Sequence, residues 1–214
     1  GRPFGVAAFG TRAVIGMTVS NNVTVSSCDL ATGCASWQSR GSVLTGASER
    51  YAQIAVGASS SGTTRVFVAD VSDAGALRLT HCNLATDCSL AGNWVAPVIV
   101  SAEVSDRGLG LVVAGGVATI IRATPTAIKS YGCDIDATAC DATGDFVTAT
   151  LVTMTGAGPT KHTTRASLTP DGKPIWISVW DGQPRIGVCG TAGSACSGNA
   201  FNWATRWYRA SNSA

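Results

Sequence analysis

The sequence predicts an all-β protein that folds as a four-bladed β-propeller, with about 53 residues and four strands in each blade. Three observations support this fold class. The eight cysteines form four local pairs, and their first members recur at intervals of 54, 51 and 56 residues. A short stretch of alternating apolar and polar residues precedes each pair. No long stretch has the three-to-four spacing of an amphipathic helix.

The cysteine pairs are expected to form one disulfide in each blade. The partners are Cys28 with Cys34, Cys82 with Cys88, Cys133 with Cys140, and Cys189 with Cys196. Zinc is the alternative, but zinc knuckles usually place two to four residues between ligands, and only His81 and His162 could complete such a site. The cysteines of each pair here have five or six residues between them. This wider spacing favours disulfides, and with them an oxidising compartment.

Each repeat contains enough strand-like sequence for four strands. The alternating runs before the first cysteines cover residues 22–27, 76–81, 127–132 and 184–188. Two earlier stretches are clearest in the second and fourth repeats, at residues 51–56 and 65–69 and at residues 165–168 and 174–179. After the second cysteine comes an aromatic residue, Trp37, Trp94, Phe146 or Phe201, and then a fourth apolar stretch. Four strands per repeat are typical of a propeller blade.

The repeats cover approximately residues 1–46, 47–100, 101–157 and 158–214, and together they are expected to form one domain over residues 1–214. Glutamate, a favoured helix former, occurs only at Glu49 and Glu103. The chain begins at Gly1 without an initiator methionine, so we expect a processed, secreted product or a fragment of a longer protein.

Composition excludes two classes of partner. Charged residues make up 13% of the chain, against about a quarter in an average protein. The net charge is +2, and the basic residues are scattered, so nucleic acid is not an expected partner. No run of eighteen apolar residues occurs, so no membrane span is expected either.

The fourth repeat carries the most specific motif, which runs from Ser167 through the Asp171-Gly172 turn to Asp181 and continues to Cys189 and Cys196. It resembles the tandem repeats of secreted bacterial and algal propeller proteins that are related in architecture to sialidases. In those repeats an Asp-Gly turn, a Pro-led strand ending near an Asp, and a Cys loop recur. The resemblance implies a propeller fold and an extracellular location.

The resemblance does not bring a catalytic site with it, so no catalytic residue is predicted. Sialidase-type hydrolysis uses an arginine cluster, a Tyr–Glu pair and an acidic Asp, and neither Tyr51 beside Glu49 nor Tyr131 or Tyr208 marks such a pair. Thr169-Pro-Asp-Gly-Lys-Pro-Ile-Trp176 also departs from the Asp-box pattern. Glycoside hydrolysis needs two facing carboxylates, whereas most acids here lie in turns. A carbohydrate-active, sialidase-like hydrolase, or a fragment of one, is the alternative to a non-enzymatic protein.

An acidic loop follows the third repeat's first cysteine and suggests a calcium site. Its carboxylates are hard oxygen ligands, of the kind that calcium prefers, and they belong to Asp134, Asp136, Asp141 and Asp145. The loop is not an EF-hand, because the sixth position is Ala139 instead of glycine. Solvated turn acids are the alternative, and no other cofactor is predicted.

The aromatic residues divide into core and surface candidates. Trp37, Trp94 and Trp203 recur at similar repeat positions and are expected to pack between blades, and Trp176 and Trp180 share one side of a strand. Trp207 and Tyr208, near the end of the sequence, are the candidates for a ligand-binding or interface surface.

Asn22-Val-Thr24 is a glycosylation sequon, and residues 160–164 form a Thr-rich tract that includes His162. We expect a non-enzymatic extracellular module that binds glycans, serves adhesion, or assembles with itself as a structural protein. Its expected partners are glycans or other copies of the same chain.

Overall fold

The computed structural model describes residues 2–35, 42–86, 88, 90–105, 108–153, 164–180, 183–190, 196 and 201–202. Within these residues, sixteen strands form four antiparallel sheets, each made of four strands that are consecutive in the chain. The sheets are the four blades that the sequence predicts, and each contains one disulfide. The predicted fold class is therefore confirmed.

Blades 1 and 2 comprise the first eight strands. Blade 1 contains β1 (Arg2–Phe9), β2 (Arg12–Val19), β3 (Asn22–Asp29) and β4 (Ser42–Thr45). Blade 2 contains β5 (Ala47–Ala58), β6 (Thr64–Ser72), β7 (Leu77–Asn83) and β8 (Val98–Ser101). Short 3-10 helices follow β3 and precede β8, at Leu30–Thr32 and Ala91–Asn93.

Blades 3 and 4 comprise the remaining strands. Blade 3 contains β9 (Leu109–Ala114), β10 (Val117–Ala123), β11 (Ala127–Asp134) and β12 (Phe146–Thr153), with a 3-10 helix at Thr143–Asp145. Blade 4 contains β13 (Thr164–Leu168), β14 (Pro174–Trp180), β15 (Gln183–Cys189) and β16 (Phe201–Asn202). None of the helices in the described part of the chain has the length and apolar character needed to cross a membrane.

Strand register makes the blades comparable residue by residue. Ala13, Val66 and Ala118 each lie opposite the first cysteine of their own blade. In blade 4 the same register puts Pro174 opposite Cys189. Residues that lie the same number of positions along the chain from these anchors, or from the first cysteine of their blade, are called matching residues.

Three apolar cores hold consecutive blades together. The core between blades 1 and 2 includes Val25 and Val68, and the core between blades 2 and 3 includes Phe67 and Leu111. The core between blades 3 and 4 is built around Trp176, which is 1% exposed. Close strand approach helps this packing, since a Cβ atom on Gly110 of β9 would overlap the backbone of Ala166 on β13.

Two buried charged residues occupy matching positions in blades 2 and 3. Asp70 is 0% exposed and accepts two hydrogen bonds from Arg78, at 3.0 Å from Nε and 2.6 Å from Nη2. Burial raises the pKa of Asp70, and the hydrogen bonds and charge of Arg78 only partly oppose this shift. Arg122 is also 0% exposed, and its Nη2 donates to the backbone oxygens of Gly75 and Ser105. This guanidinium thereby ties a turn of blade 2 to blade 3.

Candidate functional site

A groove of about 450 Å³ opens between blades 1 and 2 at one end of the propeller. Three segments line it: the turn between β1 and β2, the turn between β5 and β6, and the loop that follows β7. Their lining residues are Phe9, Thr11, Arg12, Ser61, Gly62, Thr63, Thr64, Asn83, Leu84 and Ala85. The groove is therefore assembled from the ends of two repeats and is not contained in either one.

Local hydrogen bonds fix the shape of the groove. In the β5–β6 turn, the backbone N–H of Gly62 donates to the Ser59 carbonyl at 3.0 Å, and Gly62 adopts a φ of 84° that favours glycine. In the loop after β7, Asn83 Oδ1 accepts the backbone N–H of Ala85 at 2.9 Å. The Leu84 N–H donates to the Thr64 carbonyl at 2.9 Å, which joins this loop to the neighbouring turn.

The groove combines an apolar ring with hydrogen-bonding groups. Phe9 is 47% exposed, although a phenyl ring usually lies in the core. Arg12 is exposed, and within the described residues no carboxylate lies at ion-pair distance from it. Thr11, Thr63 and Thr64 add hydroxyl groups that can donate and accept hydrogen bonds.

The corresponding space between blades 2 and 3 is closed by hydrogen bonds. Asp136, which matches Ala85, accepts the backbone N–H of Ser60 at 2.8 Å. Arg65, which matches Arg12, donates to the Ala139 carbonyl at 3.2 Å. The same carbonyl lies 2.8 Å from His81 Nε2. The loop of blade 3 thus occupies the space that remains open between blades 1 and 2.

His81 contributes to this closed junction as a neutral donor. Burial lowers the pKa of its imidazole below the ordinary value of 6.5, and the charge of Arg65 lowers it further. Its Nε2–H can then donate to Ala139, while the ring packs against Phe67 with 5.3 Å between ring centroids.

The innermost strands β1, β5, β9 and β13 line a central channel of about 490 Å³. Its described lining residues are Val6, Ala7, Ala8, Ala55, Val56, Leu111, Val112, Val113, Ala166, Ser167 and Leu168. No carboxylate occurs among them.

The four acidic residues considered for calcium have other partners or are separated. Asp134 accepts the backbone N–H groups of Asp136 and Ala137, and Asp145 accepts those of Asp141 and Ala142. Asp136 reaches blade 2 instead, as described above. In the described part of the chain, no three His, Cys, Asp or Glu side chains are grouped so that they could hold a metal ion. The structure therefore does not bring the predicted calcium ligands together.

The other predicted sites have mixed outcomes. The disulfides Cys28–Cys34, Cys82–Cys88, Cys133–Cys140 and Cys189–Cys196 are formed as predicted. Asn22 begins β3, and its side-chain amide donates to the Ser20 carbonyl at 3.1 Å. Trp94 and Trp176 are buried, as expected for core residues. Trp37, His162, Trp203, Trp207 and Tyr208 lie outside the described residues.

Sequence reasoning missed Phe9 and Arg12, on the two sides of the β1–β2 turn, and Asn83, at the end of β7, which line one groove but come from two separate segments. A signal was nevertheless present in the repeat. Arg12 and Arg65 match, whereas Ala85 stands where the third repeat has Asp136. This difference indicates that the two junctions between blades are not equivalent.

The sequence matches no protein-family model and no curated protein. Solved structures share its fold. The Aleuria aurantia lectin AAL, solved in complex with Fucα1-6GlcNAc, matches 96% of the chain with a TM-score of 0.56 and 14% identity. AofleA from Arthrobotrys oligospora matches 94% with a TM-score of 0.53 and 7% identity. An endo-arabinase from Bacteroides thetaiotaomicron matches 97% with a TM-score of 0.50 and 14% identity.

These proteins are longer than the chain, which spans 60% of AAL, 54% of AofleA and 80% of the endo-arabinase. At such low identity the likeness establishes the fold and not the ligand. The chain is thus a four-bladed β-propeller with one disulfide per blade, similar in fold to the Aleuria aurantia lectin AAL and to an endo-arabinase.

Proposed function

We propose that the protein is a glycan-binding module and that it binds sugars in the groove between blades 1 and 2. The observation that carries this proposal is the half-exposed Phe9 ring beside Arg12 and several hydroxyl groups, in a groove of about 450 Å³. The matching junction between blades 2 and 3 is closed. The open groove therefore distinguishes the junction between blades 1 and 2 from the junction between blades 2 and 3.

The chemistry of the groove suits a carbohydrate. A sugar ring has an apolar C–H surface that packs on an aromatic face, and its hydroxyls both donate and accept hydrogen bonds. Phe9 offers the aromatic face, Arg12 offers donors, and Thr11 offers a hydroxyl that can do either. Sites of this kind place a few polar groups around an apolar surface.

The likeness to AAL supports the choice of a first ligand. That lectin was solved in complex with Fucα1-6GlcNAc, so this disaccharide and an array of neutral and acidic glycans are the first compounds to test. Isothermal titration calorimetry would then give the affinity of any glycan that the array identifies. An array that shows no binding to any glycan class would contradict the proposal.

The groove is tested by removing its aromatic ring. We expect Phe9→Ala to weaken glycan binding at least about tenfold, because a central aromatic contact commonly contributes more than 1 kcal/mol. Leu90→Ala is the matched control, since Leu90 is 59% exposed and does not line the groove. Equal weakening in both variants would argue against this groove as the site.

A second variant closes the groove without removing a lining group. Ala85→Asp gives blade 2 the residue that blade 3 has at Asp136, where the carboxylate caps a turn of the preceding blade. We expect Ala85→Asp to reduce binding and Ala85→Ser to retain it. Unchanged binding in Ala85→Asp would indicate that the ligand lies elsewhere.

We further propose that binding is not coupled to hydrolysis and that the protein acts outside the cell. The described channel lining without carboxylates supports the first point, and four disulfides support the second. Turnover of aryl-glycoside substrates by the purified protein would contradict the non-enzymatic role. Adhesion would follow if several copies were linked, since linked sites bind more tightly than single ones.

A further inference from the structure

The interior of the propeller is closed at three junctions and open at the fourth. Apolar cores join blade 1 to blade 2, blade 2 to blade 3, and blade 3 to blade 4. Between blade 4 and blade 1, the described residues instead line the central channel of about 490 Å³. Val6 of blade 1 and Leu168 of blade 4 both line it, and they are 69% and 40% exposed. Two walls of the channel therefore present aliphatic side chains to solvent.

The blade 4 wall of the channel continues into an apolar depression of about 180 Å³. Ala166 and Ser167 line both spaces, so the depression and the channel are neighbours. Ile177 and Ile186, which pair across β14 and β15, line the depression. Ile177 is 41% exposed, whereas the matching Ile121 in blade 3 is 0% exposed. A blade face that is buried in blade 3 is thus accessible in blade 4.

One cation borders these apolar surfaces. Arg165 lies two positions before Ser167 on β13, so both side chains are on the same side of the strand, and both line the depression. Its Nη1 donates to the Thr164 carbonyl at 2.9 Å. Among the described residues, no carboxylate lies at ion-pair distance from Arg165. The guanidinium is therefore able to pair with an anion from outside the chain.

The size and the chemistry of this space define its guest. A volume of about 490 Å³ is typical of a small-molecule site. No charged side chain occurs in the described lining of the channel, so the body of the guest is apolar. One guanidinium at the border suits a single anionic group at one end of that body. A carboxylate fits best, because a guanidinium can bind its two oxygens with parallel hydrogen bonds.

We propose that the central channel and the depression of blade 4 bind an amphiphilic carboxylate, that is, an alkyl chain that ends in a carboxyl group. The alkyl chain packs on Leu168 and Ile177, and the carboxylate pairs with Arg165. Phe9 and Arg12 line the groove between blades 1 and 2 and do not line this site. The proposal is therefore independent of glycan binding in that groove.

A series of chain lengths tests the apolar part of the site. Isothermal titration calorimetry with octanoate, decanoate and dodecanoate should show an affinity that rises by up to about fourfold for each added methylene group, since each buried methylene contributes a similar free energy. A series in which nothing binds, or in which all three bind equally, would overturn the proposal.

Removing the charge of Arg165 tests the anionic part. Arg165→Gln should weaken dodecanoate binding at least about threefold and leave the binding of uncharged octanol unchanged, because only the carboxylate pairs with the guanidinium. Lys173→Gln is the matched control, since Lys173 belongs to the same blade but does not line the site. Equal losses in the two variants, or no loss in Arg165→Gln, would contradict the assignment of Arg165.

Filling the space tests where the guest lies. Ser167→Trp puts a large side chain at the point that the channel and the depression share, and it should abolish dodecanoate binding while glycan binding in the groove is unchanged. Thr148→Trp is the control, since Thr148 is exposed on the outer strand β12 and does not line the site.

A second measurement locates the guest without changing the lining. In methyl NMR spectra of the wild type, dodecanoate should shift the Ile177 signal and not that of Ile99, which is 50% exposed on β8. Thermal unfolding checks that each variant is folded, and Ser167→Leu replaces a Ser167→Trp protein that is not. Unchanged binding in the folded Ser167 variant, or equal shifts at Ile177 and Ile99, would overturn the proposal.

Discussion

At the scale of single residues, buried charge distinguishes the middle blades from the end blades. Asp70 in blade 2 and Arg122 in blade 3 are fully buried, whereas the matching residues in blades 1 and 4 are Met17 and Ser178. Asp70 has Arg78 as its partner, and this pair also holds the Gly46 carbonyl between blades 1 and 2 at 3.3 Å. A charge taken out of water stabilises a fold only where such partners compensate it.

The Asp70–Arg78 pair leads to a prediction about stability. Arg78→Met leaves Asp70 buried without its partner, and breaking a buried pair in this way commonly costs about 3–5 kcal/mol of unfolding free energy. The double variant Asp70→Leu with Arg78→Met should recover part of that loss, because no charge then remains buried. Urea unfolding measures both.

The exposed ion pair between Lys173 and Asp171 serves as the control for this prediction. Lys173→Met should have a much smaller effect on unfolding than Arg78→Met, since water screens the exposed pair. Equal losses in Lys173→Met and Arg78→Met would contradict the importance that we give to burial.

His81 leads to a prediction about pH. Its pKa in the folded protein lies below the ordinary value of 6.5, so the unfolded chain binds a proton more readily than the folded one. The stability that His81 contributes is therefore complete above pH 6.5 and is lost as the pH falls through the folded-state pKa. The contribution of His81 to the unfolding free energy should therefore fall on acidification from pH 7.5 to 5.5.

His81→Gln is the comparison for this pH dependence, because glutamine can still donate to the Ala139 carbonyl but does not titrate. Other ionisable groups, including Asp70, are common to both proteins and cancel in the difference. The variant should lose less stability than the wild type over the same pH interval. Parallel pH profiles would rule out His81 as the source.

At the scale of elements, glycines set how closely strands of neighbouring blades approach. A Cβ atom on Gly110 would overlap the backbone of Ala166, and a Cβ atom on Gly57 would overlap the Val113 side chain. The two cases differ, because a side chain can move aside more easily than a strand. The junction between β9 and β13 is thus less tolerant of an added side chain than the junction between β5 and β9.

Gly110→Ala should lower the unfolding free energy by about 1–3 kcal/mol, the usual cost of overpacking a well-packed interior. Gly144→Ala is the control, since no atom lies within 4 Å of the position that its Cβ would take. Thermal and urea unfolding would measure both variants. A Gly110→Ala protein as stable as the wild type would show that blades 3 and 4 pack less tightly than their backbone contact implies.

At the scale of the whole molecule, the sequence predicts what recurs and not what differs between repeats. The strands around the cysteines could be predicted because alternation and spacing repeat four times. The groove could not, because only blade packing brings Asn83, at the end of β7, close to Phe9 and Arg12 at the β1–β2 turn. The different exposure of the matching residues Ile177 and Ile121, 41% and 0%, could not be predicted either, because both are isoleucines and the difference depends on contacts between blades.

The disulfides have a final consequence for how the molecule comes apart. Each joins cysteines only 6 or 7 positions apart, so none connects one blade to another. A protease cut at Val104, which is 69% exposed between blades 2 and 3, would leave two pieces with no covalent bond between them. A cut between Cys133 and Cys140 would leave the polypeptide in one piece until a reductant is added.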